Sequence, residues 1–443
     1  MIQTLQLLLS LSILVVLHEF GHYITAKMFG CRVEKFYLFM DWHFALFKKK
    51  IGETEFGVGW LPLGGYVKIA GFIDESMDSS GLESTPEPWE LRAKPAWQRL
   101  IVMLGGIIVN LLLAWLIYSM ILFCWGERYT PMNSLVDGIS FNSAGKQLGF
   151  QDGDLLVSID GVQVLEFDQM MLMSSILFEG AQNVIVSRGG EDISILIDEQ
   201  LVKQIISDLD LSNGPLLSPN FKWVIGDFLE SSVAEKAGLK RGDRILGIDD
   251  LKTEFYHANS VIDYLKSKSG ESIVLMVEKS FTKEIELIDI SLGEDGLLGV
   301  IPSTKEYLNS RSYSFLSSFG AGWNKSLNVI KMYWGQMKTI FNPSTGGYKH
   351  VGGVISIGKM FPGEWNWLVF WSMTALLSII LAIMNLLPIP ALDGGHAVIA
   401  LAEMITGKKL PLKVLMPLQI AGMIILFALL IYANGMDIIR LFN

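Results

Sequence analysis

Four stretches of this 443-residue chain, residues 4–27, 100–125, 365–384 and 414–436, are long, apolar and nearly free of charge. A helix of about 20 such residues crosses a hydrocarbon core of about 30 Å. Only helices and closed barrels satisfy their backbone polar groups in lipid. Composition agrees with four spanning helices, because 51% of residues are hydrophobic and 18% charged. The first stretch has no basic n-region and no small-residue cleavage site, so it is read as a retained span and not as a signal peptide.

Charge then orients the spans. Ten Lys or Arg lie from Lys27 to Arg99, including the run Lys48-Lys49-Lys50, and Lys408, Lys409 and Lys413 lie between the last two spans. None precedes the first span, and only Arg440 follows the last. The positive-inside rule puts residues 28–98 and the last loop in the cytoplasm and both termini outside. Residues 127–310 are therefore expected outside, with 30 Asp/Glu against 15 Lys/Arg. So acidic a segment does not bind nucleic acid or anionic lipid by charge. Cys31 and Cys124 fall on opposite sides of the membrane, and no disulfide is expected.

The exported segment repeats itself. Residues 148–161 read "LGFQDGDLLVSIDG" and residues 237–250 read "AGLKRGDRILGIDD", in register at an offset of 89 residues. Each copy combines a helix end, a Gly-Asp turn and a strand, in a segment the size of a small domain. The pattern resembles the PDZ modules of bacterial envelope proteases and suggests two of them, over 127–214 and 215–305. Modules of this kind bind extended peptides by strand addition. The sequence fits equally two modules that hold peptides and two that act as a bulky screen.

Residues 51–71, "IGETEFGVGWLPLGGYVKIAG", alternate apolar and polar with Gly and Pro at the turn, which predicts a β-hairpin. Trp60, Leu61, Leu63, Tyr66, Val67 and Ile69 make it apolar enough to dip into the membrane, provided its edges are satisfied there. Residues 74–95 read as an acidic surface loop. Further on, Leu316, Phe319, Trp323, Leu327, Ile330, Trp334, Met337 and Phe341 recur at spacings of three and four. That spacing predicts an amphipathic helix on the outer membrane surface, or one packed on the repeats.

The first span carries chemistry that lipid alone would reject. His18-Glu19-Phe20-Gly21-His22 places two imidazoles at i and i+4 on one helix face, where both reach one metal ion. Glu19 is then beside the first ligand, in reach of a metal-bound water, which is the H-E-x-x-H arrangement of zinc peptidases. Zinc binds neutral imidazoles and compensates a carboxylate, so these groups are paired within protein. Catalytic zinc needs a third protein ligand and an open position. The third span ends in "MNLLPIPALDGGH", where Pro388 and Pro390 stop the helix. Asp393 can project from a turn opened by Gly394 and Gly395, as a ligand, or can cap a following helix over 395–406; the ligand role is favoured. His396 is read as beginning that helix. His43, His257 and His350 have no partner spacing and receive no chemical role.

Taken in order, these residues resemble the site-2 protease family of intramembrane zinc metalloproteases, most closely its RseP-like branch with tandem PDZ domains. The resemblance runs over nearly the whole chain: the histidine motif, "GVGWLPLGGYVKIAG", "LGGIIVN" in the second span, the repeated modules and "NLLPIPALDGG". It implies that His18, His22 and Asp393 bind Zn²⁺, that Glu19 is the general base, and that Asn385 hydrogen-bonds substrate or the developing oxyanion. The hairpin edge at Gly64, Gly65, Tyr66 and Val67 would hold an extended substrate segment. Asn110 is read as an inter-helix hydrogen bond. Gly105-Gly106 and Gly352-Gly353 stand where relatives often have Gly-Pro, and neither pair is expected to touch the site.

The expected architecture is a polytopic α-helical membrane protein of four transmembrane helices, with a membrane-associated β-hairpin and two periplasmic α+β PDZ-like domains. Its parts are a first span with the zinc motif (1–30), a cytoplasmic segment (31–98), a second span (99–126), the two modules (127–214 and 215–305), and the amphipathic helix (311–342). A third span (365–388), a turn and cytoplasmic loop (389–413) and a fourth span (414–436) complete it. The expected function is hydrolysis of peptide bonds within the membrane of a bacterial cell, in the inner membrane. Substrates would be single-pass proteins of the anti-sigma-factor type and remnant signal peptides. An ion-coupled transporter is disfavoured by the absence of an inverted repeat. An inactive scaffold is disfavoured because every chemical residue is present.

Overall fold

A computed structural model of the chain describes residues 1–72, 85–207, 215–229, 232–252 and 258–442. The chain forms two compact units, one of Met1–Gly126, Ser312–Trp334 and Lys349–Asn443, the other of Glu127–Arg311 and Gly335–Tyr348.

The first unit contains α1 (Ile2–Met28), β1 (Val33–Ile51), β2 (Thr54–Ile69) and α2 (Ala96–Trp125). Residues up to Trp334 of α3 (Phe315–Phe341) follow, then α4 (Val354–Lys359), α5 (Trp367–Leu386), α6 (Asp393–Thr406) and α7 (Leu412–Phe442). Helices α1, α2, α5 and α7 are each long and apolar enough to span a membrane. Their ends follow local chemistry. Asn366 caps α5 by accepting from the Val369 N–H at 3.1 Å, and Gly126 at φ 69° closes α2. Large apolar side chains face outward, as on Ile424, Phe427 and Ile431 of α7, while Gln6, Ser10, Asn110, Thr374 and Ser378 are buried between helices. A chain with its oily residues outside and its polar ones inside belongs in lipid, where tails solvate leucine and only neighbouring helices satisfy a hydroxyl.

Helix α3 packs on the same logic. Its buried positions in this unit include Ser318 and Ser326, and a Cβ on Gly322 would meet Ser119 Oγ at 2.3 Å, so small residues bring it against α2. The predicted amphipathic helix therefore exists, but its apolar stripe is divided: Phe319 and Trp323 pack on Trp115 of α2 and Ile330 on the neighbouring core, while Leu316 and Trp334 stay exposed.

The strands differ from the predicted hairpin. Strand β1 begins at Val33, well before residue 51, and each strand bends so that its two halves pair separately. Residues 33–38 pair on one side with 65–69 and on the other with 54–58, and 45–51 pair with 54–59. The result is a mixed four-segment sheet in the order 65–69, 33–38, 54–58, 45–51, in which the outer pairs are antiparallel and the central pair, 33–38 with 54–58, is parallel. The halves predicted to form one hairpin flank the first strand and do not pair with each other. Phe39 (φ 64°) and His43 (φ 68°) make the bend in β1, left-handed conformations uncommon for residues with a Cβ. The acidic segment 74–95 is described only from Thr85 onward.

The second unit is a structural duplication. Strand Leu155–Ile159 lies between Val162–Gln163 and Asn183–Arg188, with Glu191–Leu196 beyond; Arg244–Ile248, Leu251–Lys252, Ser272–Glu278 and Ile285–Ser291 repeat that order. The 89-residue offset carries the first strand, the short second strand and the start of the third from one copy to the other. In each copy the central strands bury alternate residues, Leu156, Val184 and Val186 in one core and Ile245, Ile273, Leu275 and Val277 in the other. The Gly-Asp turn has a structural purpose. Asp154 accepts from the Gln151 N–H at 2.9 Å, and Asp243 accepts from the Lys240 N–H at 3.0 Å. Burial opposes ionisation of Asp243, but the N–H groups of Ser280 and Lys240 and the Lys279 ammonium outweigh it and hold the carboxyl below its ordinary range.

Candidate metal centre

The helical period sets His18 and His22 one turn apart on the face of α1 that meets α2. Glycines allow the helices to approach: a Cβ on Gly21 would lie 2.3 Å from Gly105 O, and one on Gly106 would lie 2.5 Å from both His18 Cε1 and His22 Nε2. The expectation that Gly105-Gly106 stands apart from the site is therefore overturned. Gly106 forms its floor.

The third group comes from the break after α5. Ala391 takes φ 83° and Leu392 is extended at the N-cap, so Asp393 becomes the first residue of α6. Gly394 and Gly395, predicted to open the turn, instead lie inside the first turn of α6, and much of 389–413 is helix. Their hydrogens face backbone that folds back on them, because added Cβ atoms would sit 2.4 Å from Leu386 O and 2.3 Å from Ile389 O.

Among the described residues, His18, His22 and Asp393 bring their ligand atoms together. Asp393 Oδ2 is 3.2 Å from His18 Nε2 and 3.2 Å from His22 Nε2, and the two Nε2 atoms are 3.3 Å apart. An ion with ligands at about 2.0–2.1 Å in tetrahedral array holds them about 3.3–3.4 Å apart. The triangle is one face of that tetrahedron.

Hydrogen positions strengthen the fit. His22 Nδ1 lies 2.8 Å from Val102 O, and a carbonyl only accepts, so Nδ1 carries the proton and Nε2 presents a lone pair. His18 Nδ1 lies 3.2 Å from the Asn110 carboxamide nitrogen, while the buried Oδ1 of that carboxamide has no partner. Turning the amide over gives Oδ1 the His18 Nδ1–H and leaves Nε2 bare as well. Two lone pairs then face a buried carboxylate oxygen, Asp393 Oδ2, that makes no hydrogen bond of ordinary geometry. Three electron-rich atoms at such distances require a cation. Two imidazoles and one carboxylate suit zinc, with the remaining position open as catalytic sites have it.

The inter-helix hydrogen bond expected of Asn110 falls on a ligand, because its carboxamide meets His18 Nδ1. Nothing in the sequence ties residue 110 to residue 18. Replacing Asn110 with Leu leaves the volume but removes the acceptor that orients His18. Zinc affinity should fall about 10- to 100-fold, the usual cost of losing an outer-shell partner. Competition with a chelator of known affinity measures it.

The remaining predicted residues distribute as follows. Asn385 Nδ2 is 3.2 Å from His18 Nε2. A cavity of about 560 Å³ is lined by His18, Glu19, His22, Asn385 and Asp393 and by Gly65, Tyr66 and Val67 of the sheet edge. Gly64 precedes this wall at φ 94° and does not line it. A Cβ on Gly65 would meet Val15 Cγ1 at 2.8 Å and Glu19 Cγ at 3.7 Å, so the edge strand runs directly past the metal helix. His396 lines the cavity and stacks edge-on against Phe72 at 4.8 Å, but is not one of the three ligands. His43 and His350 also lie outside the cluster, and His257 falls outside the described residues.

Comparison with known proteins agrees with this chemistry. The model of a family described as peptidase family M50 matches residues 6–429. A Neisseria meningitidis protein carrying a zinc-metalloprotease name is 27% identical over 434 residues, 92% of each chain. Protease RseP of Yersinia pestis is 27% identical over 426 residues, 90% of each chain. The regulator of sigma E protease of Haemophilus influenzae is 27% identical over 455 residues, 98% of each chain.

Proposed function

The chain belongs to peptidase family M50, the site-2 proteases, and from that membership we propose that it hydrolyses peptide bonds inside the membrane-spanning segments of single-pass proteins. Family and relatives establish a zinc-dependent metalloprotease that spans the membrane more than once. The observation that carries the finer reading is where the ligands come from. His18 and His22 belong to a helix apolar enough to cross a bilayer, and Asp393 follows the end of another, so the triangle is held at membrane depth.

His18, His22 and Asp393 would hold the zinc, which when bound would supply a Lewis acid and acidify a water. Glu19, lining the same cavity, accepts the proton of the attacking water and returns it to the leaving amine. Asn385 donates its Nδ2–H toward the carbonyl oxygen as negative charge develops there. A transmembrane substrate hides its carbonyls in helical hydrogen bonds, and each one freed in lipid costs several kcal/mol unless it finds a new partner. The segment from Gly65 to Val67 is at the edge of its sheet and borders the cavity, so it offers an unwound substrate a strand to pair with.

The repeated units of residues 127–311 fit the reading of two PDZ-like modules, exported to the periplasm of a cell whose inner membrane holds the helices. There they would bar substrates that still carry a large exported domain. Substrates are then single-span proteins already trimmed outside, of the anti-sigma-factor type, and leftover signal peptides. The test reconstitutes purified protein with a trimmed single-span substrate and maps the cut by mass spectrometry. Cleavage within the span, abolished by a chelator and restored by zinc, is expected. Cleavage confined to residues outside the span would reject the intramembrane reading.

A further inference from the structure

We infer that the sheet of β1 and β2 is a lipid-binding element in which Lys48, Lys49 and Lys50 hold the phosphates of anionic phospholipids at the membrane surface where α1 ends. The inference stands independently of the hydrolytic reading.

The register supplies the depth of each part. Val67, Phe36, Phe56 and Lys49 form one transverse row of the sheet. The Tyr23 ring packs on Phe36 at 5.7 Å and on Phe56 at 5.8 Å, so this row is level with Tyr23. Tyr23 precedes Met28, the last residue of α1, by five positions, or about 8 Å of helix. The 27 residues of α1 make about 40 Å of helix against a hydrocarbon core of about 30 Å, so its last turns, and this row with them, fall near the headgroup boundary.

The next rows run inward. Gly65 lies beside Val15 and Glu19, which are eight and four residues before Tyr23, so it is about 6–12 Å deeper along α1 than the lysine row. Beyond it sit the bend residues Trp42 (64% exposed), Phe44 (56%) and Leu46 (67%), with the Phe44 ring stacked on Trp60 at 5.7 Å. These rings make an apolar end with no protein cover among the described residues. Lipid tails cover such a surface, and aromatic rings favour the zone just beneath the headgroups.

The lysines at the other end are exposed and make no ion pair among the described residues. Glu55, opposite Lys50, already accepts the Tyr37 hydroxyl at 2.7 Å. Including Glu53 in the turn, residues 27–69 carry seven Lys/Arg against four Asp/Glu, so this end is cationic. One edge strand thus joins an oily end to three cations at headgroup depth. Long lysine side chains extend to the phosphates while their stems stay in apolar surroundings. An anionic leaflet complements this charge, and a zwitterionic one does not.

The test is native mass spectrometry of the full-length protein, titrated with phosphatidylglycerol and, separately, with phosphatidylcholine. Wild type should retain phosphatidylglycerol at least tenfold more strongly. Lys48→Gln/Lys49→Gln/Lys50→Gln should reduce that preference at least tenfold, and the corresponding triple Arg variant should keep it. Lys408→Gln/Lys409→Gln/Lys413→Gln, which removes the cations of another loop, should also keep it. A wild type without preference, or a triple Gln variant that retains it in full, would overturn the inference.

Discussion

Changing Glu19 to Gln should leave zinc in place and lower the cleavage rate about 10³- to 10⁴-fold, the upper part of the range for losing a general base. Gln keeps the size and hydrogen-bonding reach of Glu but cannot take a proton. The side chain is outside the ligand triangle, so the ion should stay. It lines the cavity that the ligands share with Asn385 and the sheet edge, so the proton acceptor alone is lost. Zinc content and turnover measured on one preparation separate the two effects. A Gln variant that cleaves at the wild-type rate would remove Glu19 from the mechanism, and one that loses zinc would place it among the ligands.

The second large effect is expected at a residue with no side chain. Gly106→Ala would insert a methyl 2.5 Å from atoms of both imidazoles. Neither ring can step aside easily, because His22 is tied to Val102 O and His18 is beside Asn110. The rings must therefore move relative to Asp393, and metal affinity should fall by more than the roughly 100-fold upper cost of an outer-shell change. Gly105→Ala is the contrast. Its Cβ would press on Gly21 O at 2.6 Å, a methyl against backbone that cannot swing aside, so the helices must part and thermal stability should suffer. Chelator competition and thermal unfolding on both variants distinguish them. Equal zinc affinity in Gly106→Ala and wild type would show that the imidazoles are not packed against α2 as described.

The legible and illegible parts of this molecule divide by the distance over which each signal acts. His18 and His22 could be paired from sequence because four residues is one helical turn. The duplicated unit could be read because both copies use the same buried Asp to close the same turn, at Asp154 and Asp243. The four spans follow from length and apolarity alone. Asp393 was harder: its prolines announce a break and the histidine motif calls for a third ligand, but no local spacing joins it to residues nearly the whole chain away. Asn110 and Gly106 carried no local mark. Their importance comes from which groups of α1 they meet, and that depends on how two helices cross. The sheet was mispaired for a similar reason. Its turn residues are real, but the bend at Phe39 and His43 uses left-handed backbone at residues that do not announce it, and so the partner of each half-strand was hidden.

The account rests on three side chains holding one zinc ion, and zinc-edge X-ray absorption of the purified protein, with metal content of the single variants, tests it most directly. One zinc per chain is predicted, with two imidazole nitrogens and one carboxylate oxygen at about 2.0–2.2 Å. His18→Ala, His22→Ala and Asp393→Ala should each lose it. A zinc environment containing sulfur, or an Asp393→Ala protein with full zinc and unchanged spectra, would contradict the account.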